Sequence, residues 1–512
     1  MNTLVYQILA TRKRRIAQRI RHDHRPSEVP LLAASNIHYQ LSARDRGLAM
    51  GGLGAVHLLA RNCGLIDHLD RKLHLLKVHL PYHESDHVLT IAYNILAGGE
   101  CLQDLESLRQ DEVFLDALGA QRIPDPTTAG DFCRRFDEAA VWTLMDSLNH
   151  VRTNLWKLQG PEFFRRAILD ADGTLAPTTG ECKQGMDIAY DGTWGYHPLV
   201  VSLANTKEPL FLVNRSGNRP SHEGAYVCFD KSIVLCRDAG FKTILLRGDT
   251  DFSQTTHLDR WHEQKDVKFL FGIDAKANLN ALADALPQTA WKKLQRPAKY
   301  QVQTQTRSRR ENVKEQVVRE RAFENIRLVS EEVAEFDYQP TACKHVYRMV
   351  VVKKNLSVEK GEHMLVDDVR YFFYITNLTA ETPAQIVLLA NDRCDQENLI
   401  QQLKNGVSAM KMPVDNLVSN WAYMVMAALA WSLKAWMGLA VPETKGRWQP
   451  RHAAQKQQLI RMEFKTFLAT MMRLPCQIIN TGRRIIYRLL SWNPWQGVFL
   501  RIVETVRRPM LN

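Results

Sequence analysis

The sequence predicts an α/β protein whose centre is a mixed sheet of five strands with helices packed around it. Five short apolar segments between residues 167 and 271 have the length and composition of buried strands. The first three segments follow one another, whereas the last two alternate with segments that have the periodicity of helices. Helical periodicity also marks residues 40–160 and most of the chain after residue 392. Helices and strands are therefore expected within one fold.

The order of these elements narrows the fold class. A turn at 205–209 separates the second strand from the third, a helix over about 222–239 precedes the fourth strand, and another over about 253–264 precedes the fifth. Three strands followed by strand–helix alternation is the ribonuclease-H-like order, and acidic residues at the strand ends support this interpretation. The predicted strands cover residues 167–169, 199–203, 210–213, 243–246 and 267–271.

Basic residues exceed acidic ones and are concentrated in three segments. Lys and Arg number 67 against 55 Asp and Glu, which gives a net charge of +12. Residues 445–512 contain thirteen basic and two acidic residues, residues 292–321 contain ten basic and three acidic ones, and residues 12–25 form the third basic segment. One such segment would indicate a solvated face, but three in one chain favour a nucleic-acid partner.

The composition also predicts where the protein acts. The nine cysteines form no C-x-x-C pair and no secretory signal is found, so we expect a cytoplasmic protein. The apolar segment 421–433 is too short to cross a bilayer, which predicts a buried helix and no membrane association.

Changes in composition divide the chain into five predicted regions. The second part of the core is expected to hold a strand at 386–390 and a helix over about 392–405. The regions are a helical N-terminal part for DNA binding or dimerisation (1–160), the first part of the ribonuclease-H-like core (161–275), a β-rich insertion (276–385), the second part of the core (386–440) and a basic helical C-terminal part (441–512).

Carboxylates at the ends of two predicted strands are candidates for catalysis. The first strand ends in Asp170 and Asp172, and the fourth is followed by Asp249 and Asp251. Phosphoryl transfer with two Mg²⁺ ions about 4 Å apart needs carboxylates at neighbouring strand ends. Residues two apart in a strand share a face, so either acid of each pair could bind the metal. A capping or turn role is the alternative for both pairs.

A third candidate acid lies in the predicted helix at 392–405. Arg393, Glu397 and Lys404 fall within roughly 40° of one another at about 100° per residue. One helix could thus present a metal-binding carboxylate between two cations that suit DNA phosphates. An exposed helix with ordinary ion pairs has the same spacing. Apolar residues on an adjacent face could anchor the helix: Leu399, Ile400 and Leu403.

These motifs together resemble those of DDE transposases of bacterial insertion sequences. The pattern R-x3-E-x6-K, formed by Arg393, Glu397 and Lys404, is similar to the signature of one large branch, and the segments D-G-T at 172–174 and D-T-D-F at 249–252 resemble its first and second acidic motifs. Segments 105–111, 177–180 and 190–199 resemble the insertion-sequence-1380 family in particular, over roughly residues 37–440. The branch usually has Tyr three residues before the Arg, where this chain has Ala390.

The resemblance implies a mechanism and a set of site residues. Asp172, Asp249 and Glu397 would bind two Mg²⁺ ions, with Mn²⁺ as a substitute, for cleavage of DNA at the element's ends and strand transfer into target DNA. Arg393 and Lys404 would hold the DNA backbone. The expected partners are the terminal inverted repeats, target DNA and a second copy of the chain, in the bacterial cytoplasm or on the nucleoid. The basic segments would grip the inverted repeats through phosphate contacts, with Lys292, Lys293, Arg307, Arg309, Arg310, Arg483 and Arg484 as candidates.

Three alternatives remain open from the sequence. The segment from His83 to His87 reads H-E-x-x-H, which on a helix could bind zinc as in metalloproteases, but no third ligand is evident. A nuclease of the same fold, such as a junction resolvase, would cut DNA without joining it. A catalytically inactive relative would bind DNA without metal-dependent cleavage.

Overall fold

The computed structural model describes residues 3–21, 34–42, 44–79, 81–180, 183–296, 321, 324–360, 363–444 and 446–509. Fifteen strands are found in these residues: β1 (Gly47–Leu48), β2 (Ala167–Gly173), β3 (Ala176–Pro177), β4 (Asp187–Ile188), β5 (Trp194–Tyr196), β6 (Leu199–Leu203), β7 (Glu208–Val213), β8 (Ile244–Gly248), β9 (Val267–Ile273), β10 (Lys292–Lys293), β11 (Glu324–Tyr338), β12 (Tyr347–Lys360), β13 (His363–Thr376), β14 (Cys476–Thr481) and β15 (Arg484–Leu489).

The α-helices of the same residues are α1 (Thr3–Arg21), α2 (Leu53–Asn62), α3 (Leu65–Lys72), α4 (Glu84–Leu96), α5 (Leu105–Arg109), α6 (Glu112–Leu118), α7 (Pro126–Arg134), α8 (Glu138–Trp156), α9 (Ala225–Ala239), α10 (Leu258–His262), α11 (Ala277–Asp284), α12 (Pro383–Asn391), α13 (Cys394–Gln401), α14 (Leu417–Leu439), α15 (Gln449–Arg461), α16 (Phe464–Phe467) and α17 (Gln496–Val506). Two π-helical turns follow α13 and α16, at Gln402–Gly406 and Leu468–Met472.

A mixed sheet forms the centre of the fold, as predicted. Its first five strands lie in the order β7-β6-β2-β8-β9. Strand β6 is antiparallel to both neighbours, whereas β2, β8 and β9 run parallel. All five predicted strands are present, and most of their apolar side chains are buried because helices cover the sheet. The expectation of a mixed α/β architecture is confirmed.

The long strands after residue 324 extend this sheet. Strand β13 pairs antiparallel with β9, and β12, β11 and β10 follow in turn, which brings the sheet to nine strands. Strands β11, β12 and β13 contain 15, 14 and 14 residues and pair along most of their length. The segment after residue 276 is thus rich in strands, and backbone hydrogen bonds join it to the central sheet.

The strand predicted at 386–390 is wrong, because these residues belong to helix α12. Thr382 caps the helix by accepting a hydrogen bond from the Gln385 amide, the Gln385 side chain caps in return, and Pro383 occupies the first turn. The apolar side chains Ile386 and Val387 are buried because one face of this helix packs against the sheet. A short apolar run leaves both readings open, and the capping signal decides between them.

The C-terminal region was expected to be helical, but it also contains strands. Strands β14 and β15 form an antiparallel hairpin around residue 482. Strand β14 also pairs with β1, near the start of the N-terminal helical region. This long-range pairing satisfies backbone groups that the local sequence alone does not assign. Arg483 lies in the turn of the hairpin and Arg484 begins β15, so both predicted DNA-binding residues lie outside helices.

Helix α14 forms the centre of the helical layer and includes the segment predicted as a buried helix. Within the described ranges it is the one helix with the length and composition of a membrane span, and its apolar window is entirely buried inside the protein. It packs on α4, α8, α15 and β7. Its single cation, Lys434, donates to the carbonyl oxygen of Ile460 at 2.7 Å. Helix α14 thereby joins the sheet to helices from both ends of the chain.

Candidate active site

Two of the predicted acids lie at one edge of the sheet. Asp172 is near the end of β2, and Asp249 directly follows the neighbouring parallel strand β8. Because parallel strands end at the same edge, the pairing brings together acids 77 positions apart in the sequence. Asp249 also accepts a hydrogen bond from the Asp251 amide at 3.0 Å, which orients its carboxylate at the start of a short 3-10 turn.

Arg393 joins these two acids. Its Nη1 lies 3.0 Å from Asp172 Oδ2, and its Nη2 lies 3.5 Å from Asp249 Oδ2. The side chains of Arg393 and Asp172 are 17% and 16% exposed, whereas that of Asp249 is 35% exposed. A single guanidinium thus holds both carboxylates at the rim of the sheet.

The pKa values show that this edge favours a positive charge. Burial raises the pKa of Asp172 to about 6; Arg393 counteracts this rise and the Asp249 carboxylate adds to it. Burial also raises the pKa of Asp249, again against Arg393. Burial alone would lower the pKa of Arg393, but the neighbouring carboxylates outweigh it and raise this pKa. Even with Arg393 in place, the two acids are incompletely compensated.

The two acids of strand β2 have different partners. Asp170 forms a bidentate ion pair with Arg247, with both N–O distances 2.7 Å and side chains only 1% and 3% exposed. The same guanidinium donates to the Leu389 carbonyl oxygen at 2.6 Å, which links the pair to α12. Both oxygens of Asp170 therefore have a fixed internal partner, whereas Asp172 points to the rim. Asp251 is exposed beside the better buried Asp249.

Helix α13 brings Glu397 to a cleft at this edge of the sheet. Glu397 lines this cleft together with Asp249 and Arg393, one turn after the arginine, and its side chain is exposed. The helix is anchored by the predicted apolar residues, all of which are buried: Leu399, Ile400 and Leu403. Gln396 is a further anchor, which was not predicted. Its side chain is also buried and donates to the Val200 carbonyl oxygen at 3.0 Å. Gln396 accepts in turn from the Ser202 hydroxyl on β6.

Lys404 lies after α13 rather than within it. The π-helical turn Gln402–Gly406 contains it, so the predicted single helical face is interrupted before this residue. Lys404 is half-buried, and burial lowers its pKa. Burial lowers the pKa of His197, and the charges of Arg215 and Lys404 make smaller contributions in the same direction.

His197 belongs to the segment 190–199 that carries the family resemblance, but it was not predicted as a site residue. Its Nδ1 donates to the Arg219 carbonyl oxygen at 2.8 Å, and the ring is buried. A Cβ at Gly173 would lie 2.8 Å from His197 Nε2, so only glycine allows this close approach beside Asp172. Its position next to the motif glycine could be inferred only from the tertiary fold.

Three carboxylates at this edge of the sheet are the candidates for binding the expected metal. In the residues the structure describes, no three His, Cys, Asp or Glu side chains converge closely enough to hold an ion. Asp172 and Asp249 nevertheless converge on one cationic group, and Glu397 lines the same cleft as Asp249. Carboxylate oxygens are the donors that Mg²⁺ prefers. The chemistry of these residues therefore fits Mg²⁺ or Mn²⁺.

The H-E-x-x-H segment has a structural role. Glu84 is fully buried and accepts hydrogen bonds from the amides of Leu75 and Leu76, both at 3.0 Å. His83 is the residue before the first turn of α4, and the His87 ring stacks on Phe132 with centroids 4.3 Å apart. The glutamate and the second histidine are thus used inside the protein, which argues against the metalloprotease alternative.

Comparison with known proteins identifies the family. The family described as "Transposase DDE domain group 1" matches residues 45–511. The chain belongs to this DDE transposase family. A cryo-EM structure of the piggyBac transposase synaptic complex with hairpin DNA matches with a TM-score of 0.36 and 10% sequence identity, over 83% of this chain and 82% of that chain. No curated protein matches the chain.

The predicted DNA-binding residues of this transposase lie in several places. Lys292 and Lys293 form the exposed strand β10 at the sheet edge, and Arg483 and Arg484 are exposed on the C-terminal hairpin. None of these four lines the cleft of Asp249 and Glu397. Three others, Arg307, Arg309 and Arg310, lie outside the described residues.

Proposed function

We propose that this DDE transposase binds the terminal inverted repeats of an insertion sequence and catalyses metal-dependent DNA cleavage and strand transfer. The observation that carries the proposal is the convergence of Asp172 and Asp249 on Arg393, with Glu397 lining the same cleft one helical turn later. Acids from two parallel strands and one helix, with a cation among them, suit phosphoryl transfer on a polyanion.

The strand order supports a ribonuclease-H-like assignment of the core. Strands β7-β6-β2-β8-β9 begin with an antiparallel meander and continue with parallel strands linked by helices. Strands β11–β13 lie between β9 and helix α13 in the chain, which supports an insertion at this point of the proposed core. The sequence motifs favour a bacterial element of the insertion-sequence-1380 type and action in the cytoplasm or on the nucleoid.

We assign metal binding to Asp172, Asp249 and Glu397. Bound Mg²⁺ or Mn²⁺ ions, two in the proposed site, would stabilise the charge that develops on the attacking and leaving oxygens. Asp170 is not included, because its ion pair with Arg247 occupies both of its oxygens. Arg393 holds the two strand acids close together despite their mutual repulsion, so the site is organised before the DNA arrives.

The reaction consists of two phosphoryl transfers. Water attacks the phosphodiester bond at the end of the element, and the P–O bond to the 3′-oxygen breaks, which frees a 3′-OH. This 3′-OH then attacks a phosphodiester bond of target DNA, forms the new P–O bond and displaces the target's own 3′-oxygen. Arg393 and Lys404 would orient the backbone phosphates at the cleft. The exposed Lys292, Lys293, Arg483 and Arg484 would bind flanking phosphates, and a dimer would hold both ends.

The proposal is tested with purified protein, DNA carrying the element's ends, a plasmid target and Mg²⁺ or Mn²⁺. We expect wild-type protein to cleave and join, and Glu397→Gln to lose both while it still binds the ends. The matched control is Asp395→Asn on the same helix, since Asp395 pairs with Lys207 at 2.9 Å and does not line the cleft; this variant should retain activity. Cleavage without joining would indicate a nuclease, binding without cleavage an inactive relative, and full activity of Glu397→Gln a wrong third acid.

A further inference from the structure

The two ends of the chain form one basic surface, here called the terminal basic surface. It comprises α1 and residues 476–509, which contain the hairpin β14–β15 and α17. Helix α1 has six cations and no acid, and residues 476–509 have six cations and one acid, Glu504. Together the two segments contain twelve cations and one carboxylate, although more than 450 residues separate them in the sequence.

Arg12 attaches α1 to the end of the hairpin. Its Nη1 donates to the carbonyl oxygens of Leu489 and Ser491, at 3.2 and 2.9 Å. No residue of α1 is fully buried, so these bonds, rather than a large apolar interface, position the helix. Tyr6 lies beside Arg501 in a groove that α1 shares with α17. The guanidinium of Arg12 is therefore used for attachment, whereas the other cations of α1 have no such contact within the described ranges.

Among the residues that the structure describes, the remaining cations of this surface have no carboxylate partner. In the part of the chain that the structure describes, no carboxylate pairs with these exposed residues: Lys13, Arg14, Arg15, Arg19, Arg21, Arg483, Arg484 and Arg507. Arg484 and Arg507 line a groove together with Arg61 of α2, and no acid lines this groove. Cations that repel one another without internal compensation are suited to an external polyanion.

The distribution of side chains around α1 favours DNA over a membrane. An interfacial helix separates an apolar face from a charged one. In α1 the exposed Ile8 lies between Arg15 and Arg19, all three within about 40° of the helix circumference at about 100° per residue. Ile20 likewise lies within about 20° of Lys13. Cations on several sides of a helix can contact phosphates on both strands of a duplex, but they cannot all avoid a lipid interior.

We propose that α1 and the hairpin β14–β15 bind the backbone of the same stretch of duplex DNA, and that Arg12 positions α1 for this contact. The inference rests on the proposed function and deepens it, since it joins the two chain ends into one DNA-binding surface. Because each phosphate contact releases counterions, the surface makes binding steeply dependent on salt.

The first test measures binding in EDTA, so that catalysis plays no part. The probe is a fluorescent duplex carrying the element's end, titrated at several salt concentrations. Replacing Lys13, Arg14 and Arg15 together by Gln should reduce the slope of log Kd against log salt by about 3, and replacing Arg483 and Arg484 should reduce it by about 2. Hydroxyl-radical footprints of the two variants should lose protection over the same segment of the duplex.

The second test isolates the positioning role of Arg12 with a matched pair of variants. Arg12→Lys keeps the charge but loses the planar fork that reaches two carbonyl oxygens, whereas Arg19→Lys keeps the charge of a residue without such contacts. We expect Kd for the duplex to rise about tenfold in Arg12→Lys, the weakening that a lost phosphate-binding helix would cause, with little change in Arg19→Lys. Equal circular dichroism and melting curves would show that both variants are folded.

Three results would overturn the inference: unchanged salt dependence in the α1 variant, loss of protection in separate DNA segments, or loss of binding to phosphatidylserine vesicles while DNA affinity is retained. The experiments distinguish failure of this inference from failure of the proposed function. Protein that shows the expected footprints in EDTA but does not cut in Mg²⁺ supports the surface and contradicts the reaction. Protein that cuts and joins although the α1 variant binds normally contradicts the surface alone.

Discussion

The two acids of strand β2 should respond in opposite ways to the loss of their charge. Asp172 has a pKa of about 6 against an ordinary value of 3.8, because burial penalises its ionised form. At about 1.4 kcal/mol per pH unit, ionisation of Asp172 at neutral pH costs the folded protein up to about 3 kcal/mol in the absence of metal. Asp172→Asn should therefore raise the free energy of unfolding by about 1–3 kcal/mol at pH 7.5, while it abolishes cleavage.

Asp170→Asn should do the reverse. It removes the partner of Arg247, whose side chain is 3% exposed, and leaves a buried guanidinium without its carboxylate. Breaking a buried pair of this kind costs about 3–5 kcal/mol. The Arg247 bond to the Leu389 carbonyl remains, but one neutral acceptor does not compensate the charge. We expect a large decrease in stability, and loss of activity only as a consequence of unfolding.

The assay is urea unfolding of both variants and wild type in EDTA, followed by fluorescence at several pH values. The sign for Asp172 follows from its raised pKa: the penalty is absent below about pH 4, grows as the pH rises, and is complete above about pH 6. The difference between wild type and Asp172→Asn should thus shrink as the pH falls. An Asp170→Asn protein with wild-type stability and no cleavage would refute the reasoning, since Asp170 would then be the catalytic acid.

Three further predictions concern the surroundings of the site. Gln396→Ala should lower the free energy of unfolding by about 1–3 kcal/mol, because it leaves the buried Val200 carbonyl without its donor. An unchanged midpoint of denaturant unfolding would contradict this prediction. Gly173→Ala should cost about 1–3 kcal/mol, because its Cβ would meet His197 Nε2 at 2.8 Å, and a crystal structure with an unmoved imidazole would disprove that cause. Arg393→Gln should weaken end cleavage and raise the pKa of the first acid further, seen by NMR titration in EDTA; a lower pKa would show that the arginine does not compensate the acids.

The sequence alone determined the elements whose signal is local. The five strands of the central sheet, the buried helix α14 and the apolar anchors of α13 were predictable, because strand length, periodicity and apolar spacing are written in neighbouring residues. The motif spacing also indicated which acids to consider, and the family match over residues 45–511 supports the transposase resemblance. Helix α12 was missed, since a short apolar run fits a strand as well as a helix.

Only the tertiary structure decided which charged groups form ion pairs and which distant segments contact each other. Asp170 and Asp172 share one face of a strand in sequence terms, but Arg247 arrives from β8 and neutralises the first, while Arg393 arrives from the start of α13 and contacts the second. The pairing of β14 with β1 and the attachment of α1 through Arg12 join segments more than 400 residues apart. Spacing reports what a residue can do, but the charge and burial that select among the possibilities come from chain segments that are brought together only by folding.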